Sequence, residues 1–455
     1  MGGMGEMGRR CRVSFVLPIL PILPILPVLP VLPVLPVLPV LPVLPILPIL
    51  PILPILPYLV SMLSRLANVP PAMGALLALS RATPDLSVLD DLDAATTTEL
   101  LALASHHGQL GAVLSAFERA GRLSSEQART LLFLRRQAAL WDLERDAVMR
   151  RLAETGVTAE LLKGAALRLT AYRDPVERPF GDIDVLVPKD ELVAAVEALE
   201  PLGYSGQTEE RKQLYLEHHH HLILAKAPGF KVEMHWGLLP VRYPLTLDPV
   251  AFLAGAVDAH TPSGPSVSVP RPEYMLLHVA VQNVEDSFAK LRRLVDIDRI
   301  IATSPGFDWD FLAGEVRRLR LESVTALSLR LTELLLGTPL PSGYIARLGA
   351  PFLCRVHLPL LDPLGQLLHG IEAPRTAVQR LLLVWSIANG QDRLRFLREL
   401  LTGDADWFWR AVEEGSDVAP ERVHHALAFG KLGLFQLSRY RAASGRRRPR
   451  RFWGA

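Results

Sequence analysis

The sequence predicts an α+β protein in which a small mixed sheet lies between an N-terminal and a C-terminal helical region. Three observations carry that prediction. Between Ser124 and Leu152 apolar residues recur at three- and four-residue spacing, the period of a helix face. Between Val157 and Trp236 short apolar runs alternate with helical stretches and are punctuated by Gly and Pro, as in an α/β core. Beyond Pro272 the helical period returns. The chain therefore divides into a low-complexity extension (1–61), an N-terminal helical region (85–155), the sheet-bearing core (156–270), a C-terminal helical domain (271–440) and a basic tail (441–455).

The extension repeats Pro-(Ile/Val)-Leu from Pro18 to Pro57. Each proline inside a helix costs roughly 3 kcal/mol, so an α-helix is excluded and polyproline II is the local default. Polyproline II leaves its backbone polar groups open, so the high hydropathy does not make a membrane span. Arg9, Arg10 and Arg12 precede it as in a secretory leader, but the apolar region is far too long and interrupted by proline. A long apolar stripe without charges would invite aggregation. The stretch therefore reads as a translated tandem repeat, with Met62 or Met73 as the start of the functional chain. Two cysteines, Cys11 and Cys354, are too few for a disulfide framework and fit a reducing, cytoplasmic setting. A net charge of +2 over 455 residues gives no whole-molecule attraction to nucleic acid.

In the first helical region Glu99 to Ala120 reads as one helix stopped by Gly121. Ser124 and Gln127 then have the spacing of a capping box that starts another. Leu131, Leu134, Ala138, Trp141, Val148 and Leu152 form its apolar stripe, which is a packing face rather than a cofactor site. In the core, the run Val157 to Leu162 ends at Lys163-Gly164, and a helix continues to Ala171. Asp174 to Pro179 is a loop. Asp182 to Val187, Leu216 to Ala225 and Phe230 to Trp236 read as strands, with a helix at Asp190 to Leu199. Helices follow at Glu273 to Gln282, Ser287 to Ala302 and Asp308 to Leu319, with more to Leu437.

The chemistry concentrates at Gly181-Asp182-Ile183-Asp184-Val185-Leu186-Val187. Side chains alternate faces along a strand, so Asp182 and Asp184 project together while Ile183 and Val185 enter the core. The run Lys231-Val232-Glu233-Met234-His235-Trp236 alternates in the same way and puts Glu233 and His235 on one face. If the two strands are neighbours, Glu233 completes a cluster of three carboxylates. Such a cluster repels itself unless a cation lies within it, and hard oxygen donors select Mg²⁺ or Mn²⁺.

The string Leu161-Leu162-Lys163-Gly164-Ala165-Ala166, with Tyr172, Asp174-Pro175, Arg178-Pro179, the Asp182/Asp184 run, Leu202-Gly203-Tyr204 and Val232-Glu233-Met234-His235-Trp236, resembles the uncharacterised nucleotidyltransferase family of the DNA polymerase β-like superfamily. The likeness extends to Ala104 to Leu114 with His107-Gly108, to His278 and to Leu294-Val295-Asp296. It implies a small polymerase β-like nucleotidyltransferase core, with Asp182 and Asp184 as metal ligands and Glu233 as the third carboxylate or the base for the acceptor. It also implies transfer of a nucleoside monophosphate from a nucleoside triphosphate (NTP) to an unidentified acceptor. The superfamily usually carries Gly-Ser after its first strand, where this chain has Lys163-Gly164-Ala165. Gly164 still permits close backbone approach to phosphate, and Lys163 offers a point charge.

Four further expectations attach to single residues. Arg178 is expected either to reach a phosphate or to lie on the surface. His235 is expected beside the site, as a partner of the carboxylates or on the acceptor side. In the run Glu217 to His221, alternation lets at most two histidines converge, so one face of the run is expected to border the site or to be merely solvated, without binding zinc. Asp296 is expected to pair with Arg292, Arg293 or Arg299. Two rival functions remain: a degenerate relative that binds without turnover, and a nucleotide-sugar glycosyltransferase, which also uses Asp-x-Asp but needs a βαβ half ahead of it.

Overall fold

The computed structural model of the chain describes residues 69–206, 219–239 and 245–349, except 263, 265, 286, 287 and 289, together with 387, 391 and 394. The proline repeat, Met62, both cysteines, Glu217, His218, the helices expected beyond 349 and the basic tail lie outside the described residues. Every helix and strand named below belongs to the unit Pro70–Ala455.

The chain enters through α1 (Pro71–Ser80), a helix that sequence reading leaves unassigned. Proline is tolerated at its first position, and its residues are buried nearly all round, Met73 included, as befits a helix enclosed by others. The single helix expected from Glu99 to Ala120 is two, α2 (Ala94–His106) and α3 (Leu110–Arg119). Gly108 separates them with a φ of +68°, and a side chain there would meet Arg292 Cδ at 3.2 Å. Helix α4 (Ser125–Glu154) starts with both halves of the expected capping box: Gln127 N donates to Ser124 Oγ and Ser124 N donates to Gln127 Oε1. Along its stripe Leu131, Ala138, Val148 and Leu152 are buried and Leu134 and Trp141 half-buried. Leu131 packs with Leu114 and Val176.

Six strands form one mixed sheet: β1 (Glu160–Leu161), β2 (Ile183–Leu186), β3 (His221–Lys226), β4 (Phe230–His235), β5 (Val257–His260) and β6 (Ser266–Val269). Their order is β3-β4-β2-β1-β6-β5. The β2–β4 and β1–β6 pairs are parallel and the other neighbours antiparallel. The β5–β6 hairpin escapes the sequence reading, because its short, Ser- and Ala-bearing strands carry few apolar residues to mark them. Connecting helices are α5 (Lys163–Ala171), α6 (Leu192–Leu199) and α7 (Pro249–Ala254). Helices α8 (Pro272–Glu285), α9 (Leu291–Thr303), α10 (Trp309–Leu319), α11 (Glu322–Leu336) and α12 (Tyr344–Arg347) complete the described part. No helix among the described residues is long and apolar enough to cross a membrane.

Register gives the sheet two unlike faces. Ile183 pairs with Val232 and Val185 with Met234, while Leu222 and Leu224 pair with Met234 and Val232. All six side chains are buried on one side, and this burial of apolar area holds the strands in register. The other side carries Asp184, Glu233, His235 and His221.

Candidate active site

Asp184 and Glu233 are register partners on the parallel strands β2 and β4, and His235 pairs with His221 across β4 and β3. The turn from β1 into α5 is tied to this row, because Leu162 N donates to Asp184 O over 2.8 Å. Lys163 follows with a φ of 45°, a left-handed conformation uncommon outside glycine. Its Nζ lies 2.6 Å from Asp184 Oδ1 and 3.6 Å from Glu233 Oε2. His235 Nε2 stands 2.9 Å from Asp184 Oδ1 and 3.4 Å from Glu233 Oε2. Asp182 precedes β2 in a bend rather than lying on the strand, and it is half-buried.

The charges of these groups are coupled. Burial raises the Asp182 carboxyl, the charges of Asp184 and Glu233 add to that, and its pKa reaches about 6 although Lys163 and His235 oppose the shift. Burial acts the same way on Asp184, but the Lys163 ammonium and the hydrogen bond from His235 outweigh it and hold this carboxyl well below the usual range. Glu233 is likewise lowered: burial works against it, and the His235 hydrogen bond and Lys163 prevail over both burial and the charge of Asp184. For Lys163 burial disfavours the ammonium, yet Asp184 and Glu233 more than compensate and the net shift is upward. Two neighbouring aspartates are thus pushed in opposite directions. Three carboxylates faced by one ammonium form an acidic pocket, and Asp184, Glu233 and His235 each bring a ligand atom within 4.8 Å of the others. Asp182 is not part of that group, which supplies two carboxylates and one imidazole, a set that a divalent cation accepts.

Arg178 is not on the surface, which corrects that expectation, and its guanidinium is engaged by Asp296. Its guanidinium is buried, with Nε 2.6 Å from Asp296 Oδ1 and Nη2 3.0 Å from Asp296 Oδ2, while Nη1 donates to Pro179 O. Tyr172 OH donates to the same Asp296 over 2.7 Å. Asp296 therefore takes Arg178 and Tyr172 as partners, not the helical neighbours Arg292, Arg293 or Arg299. Arg178 grips the carboxylate at two points, the strong geometry for a guanidinium, and it reaches it from the loop ahead of β2 rather than from α9 itself. Gly164 sits above this pair: a Cβ there would meet Phe180 Cβ at 2.9 Å and Arg178 Nη1 at 3.2 Å. Glycine is needed at this position for space.

Histidines crowd one edge of the pocket. Alternation applies only from His221 onward, because β3 begins there and His220 precedes it in a bend. The His220 and His221 rings lie 4.5 Å apart, and 5.6 and 5.0 Å from that of His235. His278 of α8 is buried with its pKa lowered to about 3, first by burial and then by the charges of Lys163 and His235, which puts α8 within electrostatic reach of the site. The sequence singles out His278 without a role; only the docking of α8 supplies one. Glu160, in contrast, is buried on β1 with no charged neighbour among the described residues to answer it, and burial pushes its pKa to about 8.

Every described residue ahead of β1 is helical or in a connecting turn, so the βαβ half that a nucleotide-sugar glycosyltransferase needs is not found there. No curated protein matches the chain at a significant level. A family model described as uncharacterised nucleotidyltransferase matches residues 92–337, which include the sheet, the Lys163 turn, all three carboxylates and helices α2 to α11. That span is more than half of the chain, and the protein belongs to this nucleotidyltransferase family.

Proposed function

We propose that the chain is a metal-dependent nucleotidyltransferase, moving a nucleoside monophosphate from an NTP to a hydroxyl or other nucleophile on an acceptor. The acceptor is to be sought among small molecules, proteins and nucleic acids. The observation that carries this reading is the register pairing of Asp184 with Glu233, with Asp182 two residues before the first. Asp182, Asp184 and Glu233 would hold Mg²⁺ or Mn²⁺. Such an ion supplies positive charge to the triphosphate during in-line displacement at the α-phosphorus.

The chain's own groups have separate tasks. His235 donates to Asp184 and fixes the orientation of that carboxylate. Lys163 presents its ammonium to the same pocket, where it can turn from carboxylate to phosphate oxygens. Gly164, second residue of α5, belongs to the helix N-terminus, whose backbone N–H groups would favour anionic oxygens. Glu233, more exposed than Asp184, serves as ligand or takes the acceptor's proton. The helices from α8 onward form the acceptor side, a placement supported by the coupling of His278 to Lys163 and His235.

One observation favours a second reading, binding without turnover: the Lys163 ammonium already lies between Asp184 and Glu233, at 2.6 and 3.6 Å. Pyrophosphate release from NTP with Mg²⁺ or Mn²⁺, measured on the full-length chain, separates the two. Release that falls on the order of a thousandfold, about 4 kcal/mol of barrier, in the Asp182→Ala, Asp184→Ala double variant supports transfer. Equal release from both proteins removes the catalytic claim. Metal-dependent NTP binding without release supports the second reading.

A further inference from the structure

From the convergence of His220, His221 and His235, we infer a binding site for a divalent transition-metal ion that prefers imidazole, Zn²⁺ or a chemically similar ion, beside the carboxylate pocket and distinct in chemistry from a Mg²⁺ site. The three residues can each place one ligand nitrogen within 4.8 Å of the other two. They come from two elements: His221 opens β3, His220 precedes it in a bend, and His235 closes β4 directly opposite His221. The strand pair holds His221 and His235, and Trp236 N and Gly237 N both donate to His220 O, tying the bend to the end of β4.

A second observation comes from His235. Its side chain is fully buried, and Nε2 lies 2.9 Å from Asp184 Oδ1. An ionised carboxylate only accepts, so Nε2 carries a proton, and in the neutral ring, the form that binds a metal, Nδ1 keeps a bare lone pair. That Nδ1 has no hydrogen-bond partner among the described residues. A carboxylate that grips one ring nitrogen while the other stays free is the usual support of a metal-binding histidine. An unpartnered buried nitrogen otherwise costs desolvation without return.

Nitrogen donors select zinc, cobalt, nickel or copper over magnesium, and three histidines leave a fourth position open for water or a substrate atom. Nitrogens about 2.0–2.1 Å from a zinc ion stand about 3.4 Å from one another, so the rings need to close by roughly an ångström. His220 Nε2 and His221 Nδ1 are 3.2 Å apart in a hydrogen bond whose proton a metal ion would replace. The charge balance among the described residues also permits a cation, since Asp182, Asp184 and Glu233 face the one ammonium of Lys163. Metal binding by these histidines does not require nucleotidyl transfer, because the ligand set and its readout are independent of turnover.

The test uses the untagged full-length chain, cleared of metal with a chelator and titrated with Co²⁺ while visible absorption is recorded. One equivalent is expected to give the intense d–d bands of a low-coordinate nitrogen site, and Zn²⁺ is expected to displace it and bleach them. In a His220→Ala, His221→Ala double variant the apparent affinity is expected to fall roughly a hundredfold or more. A His218→Ala, His219→Ala variant, which removes the rest of the histidine run, is expected to keep the bands. His220→Gln alone, checked by circular dichroism, gives the same reading if the double variant does not fold. Absence of bands in the wild-type chain overturns the inference. So do bands undiminished without His220 and His221, or lost only without His218 and His219.

Discussion

Two buried pairs of cation and carboxylate stand on either side of the Gly164 turn, and they are built differently. Arg178 and Asp296 are sealed, with side chains 5% and 1% exposed, two parallel hydrogen bonds and a third partner in Tyr172. One guanidinium grips both oxygens of one carboxylate, and each guanidinium nitrogen finds an acceptor. Lys163 and Asp184 form the other pair, where a single ammonium, 24% exposed, faces Asp184, Glu233 and the charge of Asp182. A buried pair that serves only to hold the fold is matched in charge and fully hydrogen-bonded. Surplus acid beside an accessible cation marks a place where another positive charge belongs.

The comparison is broken most directly by deleting each cation in turn. Arg178→Met leaves Asp296 buried with only Tyr172 as donor, and is expected to cost about 3–5 kcal/mol in chemical denaturation, with no recovery on adding divalent ions. Lys163→Met leaves Asp184 still hydrogen-bonded by His235, so a smaller loss is expected, and Mg²⁺ or Mn²⁺ should restore the melting temperature. Equal losses that ignore divalent ions would erase the difference between the two pairs. Next in size is Gly164→Ala, where the added methyl meets Phe180 Cβ at 2.9 Å and the Arg178 guanidinium at 3.2 Å. Overpacking of this kind costs about 1–3 kcal/mol, and the variant should disturb both pairs at once.

The smallest effect concerns protons. Asp182 titrates near 6 in the folded protein, above the value of about 3.9 for an unfolded chain. A raised carboxyl favours the fold fully below the unfolded value, and that contribution is lost as pH rises through 6. Without divalent ions, Asp182→Asn should therefore match the wild type near pH 4. It should become more stable than the wild type by pH 7, on the order of 1–2 kcal/mol once solvent screening is counted. A pH-independent gap, or one of opposite sign, would show that Asp182 is not the strained member of the cluster.

Much of this was legible in the sequence. Period-two alternation in Asp182 to Val187 and Lys231 to Trp236 implied that Asp184, Glu233 and His235 share a face, and the register shows it. The Ser124/Gln127 cap and the stripe along α4 were readable because both depend on local spacing. What stayed hidden depends on tertiary placement. Arg178 looks like a phosphate ligand from its distance to Asp182 in sequence, yet its partner lies 118 residues away on α9. Lys163 was expected to meet phosphate, and no local pattern shows that its left-handed turn directs Nζ onto Asp184. The convergence of His220 with His221 depends on where β3 begins, a boundary that residue types alone do not set. The β5–β6 hairpin carries too little apolar signal to be seen.

The central claim is that Asp184 and Glu233, with Asp182, hold a divalent cation. Free Mn²⁺ followed by electron paramagnetic resonance while the full-length chain is added tests it most directly. Uptake by the wild-type chain that strengthens with NTP, and that weakens roughly a hundredfold in Asp184→Asn, Glu233→Gln, is the predicted result. Equal uptake by the two proteins, or none by the wild type with or without NTP, would contradict it.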